Sequence, residues 1–394
     1  MKFNKWTMGL AAVGVVSLAS AARADEMKMS QVQTALSNTT LSGYVDTSAM
    51  WNLGSQNGGA LPPYTPGGVT GDGFNLNAVD IALDKPMDEG NWASGYHVEL
   101  MYGPDAIAAN ASAPNVRQAY LTLRTPVASS EIDWKVGVFD TIIGYESSSD
   151  PQNPNYTRSY GWNLEPTSHT GIVGTFKVNS SFSITAGVAN SSTGNAVNGD
   201  NATTVTPVAY ESQKTYLGAI ALTAPDSWGW AKGATLNAGV IVADNGSAST
   251  TSAGRTWLYV GATVPTPMTA LKVGAAFDYK DYHDSPINAA TATVNPANNS
   301  IWAAGLYANY QANEKLSFNA RGEYVDPNAV GGSSIEELTA TVQYSLWGPS
   351  VLSRLELRWD HSASDAYDSA TGAGSGAPIH KNEVLLALNL IYQF

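Results

Sequence analysis

Five histidines, His97, His169, His283, His361 and His380, are the side chains of this 394-residue chain best suited to proton transfer or metal ligation. None stands at a ligand spacing such as H-E-x-x-H. His283-Asp284 and Asp360-His361 are neighbours in sequence. Neighbours in an extended segment point to opposite faces, so neither pair can act as an oriented acid–base dyad. The sequence also lacks a G-x-S-x-G nucleophile elbow. This pattern predicts no catalytic residues, no metal centre and no cofactor.

Charge placement is more informative. Between Ser350 and Asp360, Val351, Ser353, Leu355, Leu357 and Trp359 share one face of an extended segment, while Arg354, Glu356, Arg358 and Asp360 share the other. In the segment Leu316 to Val325, Arg321 and Glu323 lie opposite Leu316, Phe318, Ala320 and Tyr324. A lipid face cannot accept the charged set, because an Arg or Lys at the bilayer midplane costs about 2–4 kcal/mol. These residues, with Lys135 and the further candidates Asp133, Lys177, Lys272 and Asp278, are therefore expected to line a polar interior. There they would pair across the wall, set a field across a pore, or do both.

The elements that position them are strands. From Leu41 to Phe394 the chain reads as about sixteen alternating apolar stretches joined in turn by long polar loops and short links. Stretches ending near Trp51, Tyr102, Asp140, Ala189, Ala243, Tyr279, Val325 and Asp360 are followed by long segments. The links at 84–91, 125–130, 179–180, 265–267, 311–314 and 347–349 are terse, and the link at 224–232 is the least tight. Such alternation predicts a closed antiparallel transmembrane β-barrel of about sixteen strands, with 14 or 18 as alternatives. Trp92, Ser94, Tyr96, Val98, Leu100 and Tyr102 would face lipid, and His97, Glu99 and Met101 the interior. Aromatics ten positions apart lie roughly 26 Å apart along the membrane normal, which matches two interfacial girdles. No run reaches the roughly 20 apolar residues of a membrane helix.

The longest connection, from about Asp140 to Ser168, is the richest in aromatic and charged side chains. It carries Tyr145, Glu146, Asp150, Tyr156, Arg158, Tyr160, Trp162, Glu165 and, at its end, His169. Tyr and Trp want an apolar surface for the ring and a partner for the polar tip. The loop is therefore expected to fold inward against the wall as a constriction carrying Glu146, Asp150, Tyr156, Arg158, Glu165 and His169. Packing over the rim or against a second protomer is the alternative.

The remaining sequence places the chain in the envelope. Lys2 and Lys5, an apolar run from Met8 to Ala19 and Ala22-Arg23-Ala24 read as a signal peptide over 1–24, cleaved after Ala24. Residues 25–39 then form a short periplasmic lead and 40–394 the barrel. Cysteine is absent, so the backbone ladder holds the fold without disulfides. The net charge of −13 becomes −16 when Lys2, Lys5 and Arg23 are removed, which argues against nucleic acid as a partner. Acidic residues concentrate in the loops, where they would solvate the surface, bridge divalent ions to lipopolysaccharide or draw cations to a pore mouth. On the last segment Val384, Leu386, Leu388, Leu390, Tyr392 and Phe394 share a face, and a terminal aromatic in this setting is what the barrel-assembly machinery recognises.

Gly137-Val138-Phe139, Gly144-Tyr145-Glu146, Asn155-Tyr156-Thr157-Arg158-Ser159-Tyr160 and Glu165-Pro166-Thr167-Ser168-His169-Thr170-Gly171, with Gln118-Ala119-Tyr120, resemble the OmpL-like β-barrel porins. The likeness is sharpest over residues 116–190, with Thr157 where a serine is expected. It implies an outer-membrane porin and names no substrate. The first functional reading is thus passive diffusion of small hydrophilic solutes or ions through a polar lumen in outer-membrane lipid and lipopolysaccharide, with a weak tilt towards cations from the acidic loops. A non-conducting surface or scaffold barrel is second and a barrel enzyme third. A homotrimer and a monomer both suit an apolar outer face. The processed protein is expected to begin at Asp25, and N-terminal sequencing of the chain extracted from outer membranes checks this; a start at Met1 would remove the export argument.

Overall fold

The computed structural model describes residues 38–53, 71–108, 116–190, 214–243, 254–283, 300–326, 333–365, 367 and 380–394. The expected signal peptide over 1–24 and nearly all of the expected 25–39 lead lie outside the described residues. Sixteen strands are described. The first eight are β1 (Thr40–Asn52), β2 (Gly73–Lys85), β3 (Ser94–Tyr102), β4 (Val116–Val127), β5 (Ser130–Asp140), β6 (Ser168–Asn179), β7 (Phe182–Ala189) and β8 (Thr215–Thr223). The second eight are β9 (Thr235–Ala243), β10 (Gly254–Pro265), β11 (Leu271–His283), β12 (Ser300–Gln311), β13 (Leu316–Asp326), β14 (Ile335–Ser345), β15 (Val351–Ser362) and β16 (Asn382–Gln393). Each pairs antiparallel with its chain neighbours, and β1 pairs with β16 to close the barrel. Closure leaves no strand edge to meet lipid, where an unpaired amide costs several kcal/mol.

The expected strand ends hold to within a few residues, including those of β8 and β10, where small or apolar side chains on both faces blur the alternation. The loose link at 224–232 contains a 3-10 helix, Asp226–Ala231. One boundary differs. Strand β3 starts at Ser94, because Trp92 has φ of 61° and sits in the preceding turn with its ring exposed.

Period-two patterning sorts the side chains as lipid and lumen require. On β13 to β16, Phe318, Tyr324, Leu338, Val342, Leu355, Leu357, Leu388 and Leu390 are exposed on the outer surface, while Arg321, Glu337, Thr341, Arg354, Glu356, Arg358 and Asn389 are buried inside. At the seam, Gly43 N–H donates to the Phe394 carbonyl at 3.1 Å and Phe394 N–H returns to the Gly43 carbonyl at 3.0 Å. A Cβ on Gly43 would stand 2.2 Å from the Asp80 carbonyl oxygen and 2.8 Å from the Phe394 ring, so only glycine fits this approach.

Two bulges interrupt the alternation near the long-loop end. Between β1 and β2 the register passes from Asp46/Ala78 to Thr47/Leu76, leaving Asn77 as the extra residue. Between β3 and β4 it passes from Glu99/Gln118 to Leu100/Val116, leaving Arg117 extra. Each bulge turns two consecutive residues out of contact with solvent and away from lipid: Asn77 with Ala78, and Arg117 with Gln118.

Leu306, in the middle of β12, is 69% exposed on the outer wall. Leu306→Arg is expected to destabilise the folded barrel by about 2–4 kcal/mol, read as a lower denaturant midpoint for folding into lipid vesicles. A midpoint equal to the wild type would mean that this face does not meet lipid.

Candidate functional site

The connection from β5 to β6 turns into the barrel. It contains a 3-10 turn, Asp150–Gln152, and one short helix, α2 (Tyr160–Leu164), where the Ser159 hydroxyl accepts from Trp162 N–H at 3.0 Å as the N-cap. A second short helix, α1 (Pro104–Ala108), lies in the connection after β3. A segment with so little regular structure carries many main-chain groups without partners of its own. Inside a barrel those groups need acceptors and donors from the wall.

The wall supplies them from its charged rows. Glu356 accepts Tyr156 N–H at 2.6 Å on one carboxylate oxygen and Thr157 N–H at 2.9 Å on the other. Glu323 does the same for Tyr160 N–H at 2.8 Å and Gly161 N–H at 3.1 Å. The arginines take the carbonyls. Arg321 donates to the Thr157 carbonyl at 2.8 Å, Arg358 to the Arg158 carbonyl at 2.6 Å, and Arg354 to the Asp150 carbonyl at 3.0 Å and to that of Asn153. Asn319 donates to the Pro154 carbonyl at 2.9 Å, and Asn155 to Thr341 Oγ1 at 2.7 Å. Alternating acid and base along the wall therefore matches alternating N–H and C=O along the loop.

The same charges also pair with one another. Arg321 reaches Glu146 Oε1 at 2.8 Å and Glu337 Oε2 at 3.2 Å, and Arg358 is held by Asp360 at 2.8 Å. Low local dielectric strengthens each bond and makes an unpaired member expensive.

On the other flank the anchor is apolar. Ile142 and Ile143 join Phe139, Val173, Leu217, Ile241, Trp257, Tyr259 and Ala276 in one buried cluster, and Tyr145 stacks on Tyr307 with ring centroids 4.1 Å apart. The Tyr145 hydroxyl lies 3.0 Å from Thr263 Oγ1, and Trp257 Nε1 donates to the Leu164 carbonyl at 2.7 Å. A Cβ on Gly274 would fall 1.8 Å from the Tyr145 hydroxyl, so a glycine is what admits that ring to the wall.

The residues singled out in the sequence separate into three groups. Arg321, Glu323, Arg354, Glu356 and Arg358 face inward, yet the loop covers them, and Arg358 has no exposed surface at all. Lys135 also faces inward and stays half-buried, its ammonium 4.7 Å above the Tyr120 ring. Of the loop residues, Glu146 also accepts Ser159 N–H at 2.8 Å, Asp150 accepts from Arg158 at 2.6 Å, and the Tyr156 hydroxyl donates to Ser48 Oγ at 2.9 Å. Glu165 lies against Asp278. His169 is not a loop residue: it lies on β6, paired with Phe139 of β5, and its Nε2 is 3.2 Å from Thr141 Oγ1.

Periodicity did not single out Asp46, Asn77, Asn389 or Arg117. Asn77 donates to Asp46 Oδ1 at 2.8 Å, and Asn389 donates to the same oxygen. Arg117 holds both Glu99 oxygens and reaches Asp140 at 2.8 Å. Asp46 and Asn389 share the inward parity of their strands and could have been found by it. Asn77 and Arg117 sit on the bulges and could not.

A closed sheet of sixteen antiparallel strands, apolar outside and polar within, with its longest described connection turned inward, defines a porin-class barrel of the outer membrane. The chain belongs to the family described as putative β-barrel porin-2, OmpL-like, whose model matches residues 38–394. No curated protein sequence matches it. Among solved structures it is similar to an anion-selective porin from Comamonas acidovorans (TM-score 0.56, 12% identity, covering 90% of this chain and 99% of that one). It is also similar to OmpT, an outer membrane protein of Vibrio cholerae (0.55, 14%, covering 93% and 100%), and to the outer membrane channel DcaP of Acinetobacter baumannii (0.55, 13%, covering 92% and 99%). At these identities the likeness is one of fold.

Burial, followed by the charges of Asp278, Glu146 and Glu323, pushes the Glu165 carboxyl well above the usual carboxylate range. Its folded-state pKa thus exceeds the unfolded one, so the docked loop holds a proton that the unfolded chain releases. Stability from this site is then lost as pH rises from about 4.3 towards the raised value. Glu165→Gln is expected to flatten that slope, measured as the urea midpoint of the detergent-folded barrel between about pH 5 and about pH 9. A slope unchanged in the variant would show that Glu165 does not carry the effect.

Proposed function

We propose that this protein is a passive pore for small hydrophilic solutes and ions, narrowed by the β5–β6 loop. The observation that carries the reading is the uneven anchoring of that loop. Its polar and apolar attachments run along β6 to β16 and on to β1 and β2, through Val173, Ala189, Leu217, Ile241, Trp257, Asn319, Thr341, Glu356, Ser48 and Asn77.

The remaining wall, β3 to β5 with the short-turn end of β6, keeps polar and charged side chains that water reaches: His97, Asp133, Lys135 and Lys177 are all partly exposed. A polar strip of mixed sign beside a fixed loop is what a weakly selective diffusion path needs. The wall arginines would then act on selectivity only indirectly, by holding the loop in place. A homotrimer is part of this reading, supported by an OmpT structure from Vibrio cholerae described as a trimer form.

In planar bilayers the purified protein is expected to give stepwise conductance, with closures in three equal steps for a trimer. Lys135→Ala should move the reversal potential in a salt gradient towards cation preference, because it removes a positive charge from the accessible wall. A silent bilayer at protein levels where other porins insert would favour a non-conducting scaffold. Selectivity untouched by Lys135→Ala would move the path elsewhere.

A further inference from the structure

Three carboxylates from three separate segments converge inside the barrel near the long-loop end. They are Asp46 on β1 beside the bulge, Asp105 on α1 and Asp150 at the start of the 3-10 turn in the inward loop. One oxygen from each lies within 4.8 Å of the other two. At the upper limit of that spacing each oxygen would sit about 2.8 Å from the common centre, so closing by a few tenths of an ångström brings all three into the calcium range of about 2.3–2.6 Å.

A second observation points to an occupant. Asp46 and Asp150 are 1% and 4% exposed, and the Oδ2 atom of each is buried without a hydrogen-bond partner. Their other oxygens are engaged, Asp46 Oδ1 by Asn77 and Asn389 and Asp150 Oδ1 by Arg158. The neighbouring cations do not fill the gap. Arg158 is directed at Asp150 Oδ1, and Arg354 at main-chain carbonyls, Gln343 and Asn389. Buried carboxylate oxygens without a proton donor are costly.

We propose that Asp46, Asp105 and Asp150 bind one hard divalent cation of calcium size, which ties the β1 wall to the connections after β3 and β5. Its remaining coordination positions would be taken by water or nearby oxygens. Magnesium, which requires ligands at about 2.0–2.1 Å in strict octahedral geometry, would fit less well.

Terbium, a luminescent calcium substitute, tests this on the full processed protein folded in detergent and stripped with EDTA. Tyr44, whose hydroxyl accepts Asp150 N–H at 3.4 Å, and Tyr156 are close enough to sensitise emission. The expected result is saturable emission at about one equivalent per chain, displaced by Ca2+ more readily than by Mg2+. Asp105→Asn should weaken binding at least tenfold, while Asp365→Asn, an exposed loop acid, leaves it unchanged. Calcium should also raise the unfolding temperature of the wild type. The proposal is overturned by emission that Asp105→Asn leaves intact, or by a wild-type unfolding temperature indifferent to both Ca2+ and EDTA; the latter decides the matter even if the variant does not fold. In either case the triad would be a cluster that shares protons.

Discussion

A loop drawn into a membrane barrel brings with it amide and carbonyl groups that have left water and found no sheet or long helix of their own. Everything inside this barrel is arranged around that requirement. Glu323 and Glu356 each clasp two consecutive loop amides, and Arg321, Arg354 and Arg358 cap loop carbonyls. The charged ladder on β13 and β15 is consequently a docking template, and its fixed spacing along the strand sets the register in which the loop lies. Salt bridges among the same side chains, such as Arg321 with Glu337, keep the template groups aimed.

Much of this architecture is legible in the sequence because lipid enforces it. On β13 to β16 an outward charge is forbidden, so parity alone assigns Arg321, Glu323, Arg354, Glu356 and Arg358 to the interior, and the strand ends follow from loop composition. Parity cannot tell whether an inward arginine meets water or protein. That distinction depends on the partner, here a main-chain carbonyl contributed by a segment about 200 positions away, as with Arg358 and Arg158. Main-chain groups are the same in every residue and leave no trace in side-chain patterning.

The bulges define a second limit. Asn77 and Arg117 occupy the extra position on their strands, and each places two adjacent residues inside. To a reader of alternation such a residue looks misplaced by one. Both bulges lie beside buried polar networks, around Asp46 and around Glu99, so the local loss of regularity coincides with interior chemistry. His169 shows the reverse case. A residue at the edge of an aromatic loop reads as part of it, while its pairing with Phe139 puts it in the sheet.

The seam between the first and last strands has a consequence for assembly. Asp46 and Asn389 touch across 343 positions of chain, whereas every other neighbouring pair of strands is adjacent in sequence. Hairpins can form as soon as their two arms exist, but the ring cannot shut until β16 has been delivered. Until then β1 presents open hydrogen-bonding groups, and Tyr156 of the inward loop lacks Leu385 and Ala387, against which it packs. Shutting the ring and finishing the seat of the loop are thus coupled events, and a nascent barrel held open at this join would be unsealed to lipid and would hold its loop by only part of the wall.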